Sequence, residues 1–152
     1  MPNKNASFIQ YGVGFIGLIY TVLGVLGFLP LDFLNPMHLE GVGVRYLLNL
    51  VAINPLHNLV HLAIGLTGLW AAQTLTGAQR WGKIFGLTLL LLFALGMVQA
   101  VLEGFPKDQL LLDLVPLNSP GHMLHLMSGG LALYLGLARP PAASPGVSNS
   151  DV

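Results

Sequence analysis

The chain has 152 residues, 54% of them hydrophobic and only 8% charged, with a formal net charge of zero and a mean hydropathy of +0.73. Soluble domains carry about 25% charged residues, so six basic and six acidic side chains cannot cover a water-facing globule of this size. A soluble enzyme domain, a nucleic-acid binder and a disordered chain are excluded, and the absence of cysteine removes disulfides, thiolate nucleophiles, iron–sulfur clusters and Cys-ligated zinc.

A bilayer core takes about 20 mostly apolar residues per helix. The first such run covers about 8–29 and holds no charge. It is longer than a signal-peptide core, and no small-x-small cleavage site precedes Pro30, so it reads as a retained helix. The second run covers about 56–75, the third 84–102 and the fourth 121–138. Residues 1–139 thus form one four-helix transmembrane domain. The stretch 140–152 is Pro-, Ala-, Ser- and Gly-rich and reads as a disordered tail. Between the first two runs, Tyr46 to Ile53 is expected as a short interfacial helix, and Gln109 to Val115 as another before the fourth. Asn54-Pro55 and Asn118-Ser119-Pro120 then start helices two and four, since Asn caps and Pro suits the first turn. Gly17, Gly24 and Gly27, and Gly82 with Gly86, read as helix-packing faces. Trp70, Trp81, Tyr11 and Tyr134 read as interface anchors.

Lys4, Arg80, Lys83 and Arg139 fall on one side of a four-span protein, and only Arg45 and Lys107 on the other. Cytoplasmic segments carry the Lys/Arg excess. Both termini of this multi-pass protein are therefore expected in the cytoplasm. Asp32, Glu40, Glu103, Asp108 and Asp113 then sit on the outer side.

LLNLVAINPLHNLVHLAIG (Leu47 to Gly65) and LLDLVPLNSPGHMLHLMSG (Leu111 to Gly129) align without a gap, with eight of nineteen positions identical. Leu matches between apolar segments are cheap. Asn54 with Asn118, His61 with His125 and Gly65 with Gly129 at one offset of 64 are not. The fold class expected is an all-α membrane bundle of four helices, built as two parallel helix–loop–helix repeats.

The motif NPLHNLVHLAIG, followed by a second N-x6-HL-x2-G unit, resembles a family of small four-helix membrane proteins of cyanobacteria and actinobacteria, catalogued as a domain of unknown function. The likeness covers roughly residues 8–138. It implies the fold and a bacterial membrane, a thylakoid included if the source is cyanobacterial, and no activity. His122 departs from the family's usual Asn at that place, which weakens any site needing four His ligands.

His57 and His61 share a helix face at spacing i, i+4, as do His122 and His125 at i, i+3 and Asn58 with His61. Polar groups facing lipid are costly, so all five should point into the bundle. Two uses are open. The imidazoles can hydrogen-bond each other, Asn58 or loop carbonyls and lock the halves together. Alternatively they form a ligand site, because neutral imidazole binds zinc, copper, iron and nickel. His61 and His125 could hold a metal ion, a haem or a chlorophyll, with Gly65, Gly68, Gly129 and Gly130 beside them. Asn54, Asn118, Glu40, Asp113 and Arg45 are supporting candidates, Arg45 or Lys107 for a propionate and Glu40, Asp113 or His38 for a metal shell. Helices one and three hold no acid, base or His at mid-membrane, Thr21, Thr88 and Gln99 being their main polar side chains, so a transporter or pump lacks mid-membrane ionisable residues, and no catalytic constellation is present. The function expected is non-catalytic: a scaffold or accessory subunit in the lipid bilayer, as a homo-oligomer or with another membrane protein and without nucleic acid. The alternative is a His-ligated metal, haem or chlorophyll protein with its site in the outer leaflet.

Overall fold

A computed structural model describes residues 7–30, 43–103, 109–111 and 114–139. His38, Glu40, Lys107, Asp113 and the 140–152 tail lie outside the described residues. Four helices carry the fold: α1 (Phe8–Phe28), α2 (Pro55–Ala71), α3 (Leu75–Glu103) and α4 (Ser119–Leu137). Their starts have local causes. Ser7 caps α1 in a reciprocal box with Gln10. Asn54 caps α2 by accepting from the His57 N–H at 2.8 Å, and Asn118 caps α4 by accepting from the Gly121 N–H at 3.1 Å, each with Pro in the first turn. The Thr74 hydroxyl accepts from the Gly77 N–H, which starts α3 at Leu75, well ahead of the expected 84. Two of these helices, over Phe8–Phe28 and Leu75–Leu102, are long and apolar enough to cross a membrane.

Among the described residues the expected interfacial helices are not found. Their segments are instead two antiparallel hairpins, β1 (Arg45–Leu47) with β2 (Val51–Ile53), and β3 (Gln109–Leu111) with β4 (Val115–Leu117). Seven or eight residues are too few to sustain a helix against its nucleation cost. Leu48 and Asn49 both take left-handed φ values of 54° and 58°, and Leu50 N–H donates to the Leu47 carbonyl at 3.0 Å. Two successive positive-φ residues make the tight turn whose twist suits a hairpin. Leu114 N–H donates likewise to the Leu111 carbonyl.

Packing joins α1 to α2 and α3 to α4 along their lengths, with lighter contact between the pairs. Glycine sets the close approach. A Cβ on Gly17 would lie 2.8 Å from the Leu69 nitrogen, and one on Gly82 would lie 2.6 Å from the Ala132 carbonyl oxygen. Gln10 donates to the Ala72 carbonyl at 3.1 Å, and Gln79 donates to the Ala138 carbonyl at 2.8 Å, each at a helix C-cap. The core between the pairs holds Ile9, Val13, Ile16, Tyr20, Ile64, Trp81, Leu89 and Leu135. Trp81 is therefore no interface anchor: it is 5% exposed, stacks on Phe85 and donates to Thr67. Trp70, Tyr11 and Tyr134 are exposed.

Polarity runs inside out. Phe15, Leu18, Leu59, Leu66, Leu87, Leu91, Met127 and Leu131 face outward, while Gln10, Asn54, His57, Asn58, His61, Asn118, His122 and His125 are buried.

Candidate metal centre

The two hairpins lie together above the starts of α2 and α4, and each helix cap is tied to the opposite hairpin. Asn54 Nδ2 donates to the Leu114 carbonyl at 2.7 Å, and Asn118 Nδ2 donates to the Leu50 carbonyl at 2.7 Å. The two bonds are counterparts at the offset of 64. One difference breaks the match. Asn118 Oδ1 also accepts from the Ala52 N–H at 3.3 Å, whereas the position matching Ala52 is Pro116, which has no N–H to give.

Beneath this cap the first turns of α2 and α4 converge. His57, His61 and His125 are 2%, 1% and 4% exposed. One ring nitrogen from each lies within 4.8 Å of the others. The His57 and His61 rings are 4.3 Å apart between centroids, and His57 and His125 are 6.2 Å apart. His57 also lies in hydrogen-bonding reach of the Ala52 and Pro116 backbone, matched positions of the two hairpins. The residue matching His57 in the second half is Gly121, so among the described residues three imidazoles converge here rather than four.

Asn58 and His122 occupy matched flanking places. Asn58 packs on Gly27, and His122 on Gly96 and Phe93. His122 is thus buried but stands outside the triad. Arg45 is half-buried and lines a cavity of about 280 Å³ with Gly27, Asn54 and Asn58.

Hydrogen bonding separates the two uses of these residues. Both ring nitrogens of His61, both of His122, Nδ1 of His57 and His125, and Oδ1 of Asn58 are buried without a partner among the described residues. A polar lock would pair them. Each unpaired buried group costs about 1–3 kcal/mol, and native interiors leave few such groups unless an ion or water serves them.

A macrocycle fits poorly beside them. Gly65 is in contact with Gly17 and Thr21, Gly68 with Gly17 and Trp81, and Gly129 with Leu89 and Leu90. Helices α1 and α3 fill the space that a haem or chlorophyll ring would need on those faces. Only Gly130 of the four has open space around it, and it is exposed.

Sequence reasoning missed Tyr20 and Ser128. The fully buried Tyr20 ring meets His61 edge-on at 5.1 Å, and its hydroxyl is 2.8 Å from that of Ser128, joining α1 to α4. No motif marks a single Tyr within an apolar helix. Its only signal is that a phenol in such a run needs a partner when buried. Thr21 and Thr88 bond back to their own helices, and Gln99 donates to the Leu110 carbonyl at 3.0 Å.

No curated protein and no solved structure matches the chain. A family model described as a domain of unknown function, DUF4383, matches residues 10–138, and the chain belongs to that family.

Proposed function

We propose that this is a multi-pass membrane protein that holds a transition-metal ion between His57, His61 and His125. The observation that carries the reading is the convergence of three buried imidazoles whose nitrogens lie within 4.8 Å and largely lack protein partners. Imidazole is a ligand for zinc, copper, iron and nickel, and a bound ion would satisfy the nitrogens that no described residue satisfies.

In this reading all four helices cross the bilayer. The apolar outer faces and polar interior support it, because lipid reverses the usual cost of exposing Leu and Phe. The chain is a duplicated helix–hairpin–helix unit. The offset of 64 in the hairpins and caps supports this, as does a second offset of 69 relating Gln10 to Gln79, Gly17 to Gly86 and Gly27 to Gly96. The charge asymmetry supports cytoplasmic termini, with the histidines in the outer half of a bacterial inner membrane.

Metal analysis and an absorption spectrum of gently purified protein test the proposal. The expected result is a stoichiometric metal that the His61→Leu variant loses, with no Soret band. Metal content at background in native membranes would overturn it.

A scaffold role is the second reading. A recess of about 370 Å³ between α1 and α4, lined by Phe15, Ile19, Leu124, Met127 and Leu131, supports it, since such a face suits a neighbouring helix. Particle size with native lipids retained tests it: a strict monomer without crosslinked neighbours counts against it.

A further inference from the structure

Resting on the metal reading, the geometry points to copper(I), a soft monovalent ion, as the occupant in preference to zinc or another divalent metal. Three properties of the triad lead there.

The first is charge. Every donor in the triad is a neutral ring nitrogen. The whole chain has no cysteine, so no thiolate can join. Tyr20, whose ring meets His61, has its hydroxyl engaged with Ser128. A divalent ion held by this set keeps its full double charge within an apolar bundle. The cost of desolvating an ion rises with the square of its charge, so halving the charge removes about three quarters of that cost.

The second is number. Zinc sites are almost always four-coordinate, with three protein ligands only where a water or substrate takes the open position. The triad's side chains are at most 4% exposed, under two hairpins. His122, the remaining described imidazole, is held away against Gly96 and Phe93. Copper(I) has a filled d shell, imposes no square or octahedral geometry, and is satisfied by three nitrogens.

The third is setting. His61 meets the Tyr20 ring edge to face and lies against the His57 ring. Aromatic walls exclude water and favour a weakly hydrated ion over one that must shed a tight hydration shell.

The test uses the full chain in mild detergent, stripped with a chelator. It is titrated without oxygen with copper(I) against a chromogenic copper(I) chelator, and in parallel with zinc(II) and cobalt(II). The expected result is one copper(I) per chain withdrawn from the chelator, undiminished by zinc. Cobalt(II) develops no tetrahedral absorption. His61→Gln and His125→Gln, checked for an unchanged elution profile, weaken copper retention by about tenfold or more, whereas His122→Asn retains it. Stoichiometric zinc or cobalt binding in place of copper would overturn the inference and leave the metal reading standing. Failure of all three metals would remove both. Loss of copper in His122→Asn would overturn the three-donor assignment.

Discussion

The two cap asparagines are matched in place but not in bonding, and that difference can be measured. Asn54→Ala removes a helix cap and the bond to the Leu114 carbonyl. A cap is worth about 1 kcal/mol, and a net hydrogen bond about 1 kcal/mol, so the loss should be about 2 kcal/mol. Asn118→Ala removes the corresponding cap and the bond to the Leu50 carbonyl. It also strips the Ala52 N–H of its acceptor, on a residue that is 1% exposed. A buried donor left unpaired adds about 1–3 kcal/mol, which brings the total to about 3–5 kcal/mol. Thermal unfolding of the metal-free protein in one detergent, followed by tryptophan fluorescence, should therefore place Tm in the order wild type, Asn54→Ala, Asn118→Ala. Equal losses, or a larger loss for Asn54→Ala, would refute the claim that Pro116 leaves the second hairpin one bond short.

Other outcomes follow from the same geometry. In metal-free protein His61→Gln and His61→Leu should have similar Tm values, because neither ring nitrogen has a partner to lose among the described residues; a clearly more stable Gln variant would restore the polar lock. Gly86→Leu should part α3 from α4, since even a Cβ there would contact the Leu133 backbone. The cost is about 1–3 kcal/mol or more, read as a fall in Tm and in expression. Reporter fusions at the C-terminus and beside Gln73 should report cytoplasm, and fusions near Glu40 or Asp108 should report the outer side. An external C-terminus would reverse the side on which the histidines lie.

How much was legible beforehand follows from the range of each interaction. Asn54-Pro55 and Asn118-Ser119-Pro120 start α2 and α4 as their chemistry demands, because a cap bonds within its own turn. The paired motif brought His61 and His125 to attention because ligand-like polar residues stand out in apolar runs. The hairpins stayed hidden. A strand of three residues has no period to read, and its bonds go to a partner strand. Asn49 at the first turn was the available signal, since Asn tolerates left-handed backbone. The likeness of α1 to α3 was hidden too. It runs at 69 rather than 64, and its matches are mostly glycine and leucine.

Composition and local chemistry thus determined the apolar helices, their caps and the two His-bearing starts. Tertiary structure alone decided which imidazoles meet. His57 joins His61 and His125, while His122 is held apart, although periodicity places all four on inward faces. The reason is that convergence depends on how closely and at what angle the helices cross. Those quantities are set at Gly17, Gly82 and Gly86, far along the chain from the histidines, and by the bonding of each half's helix cap to the other half's hairpin.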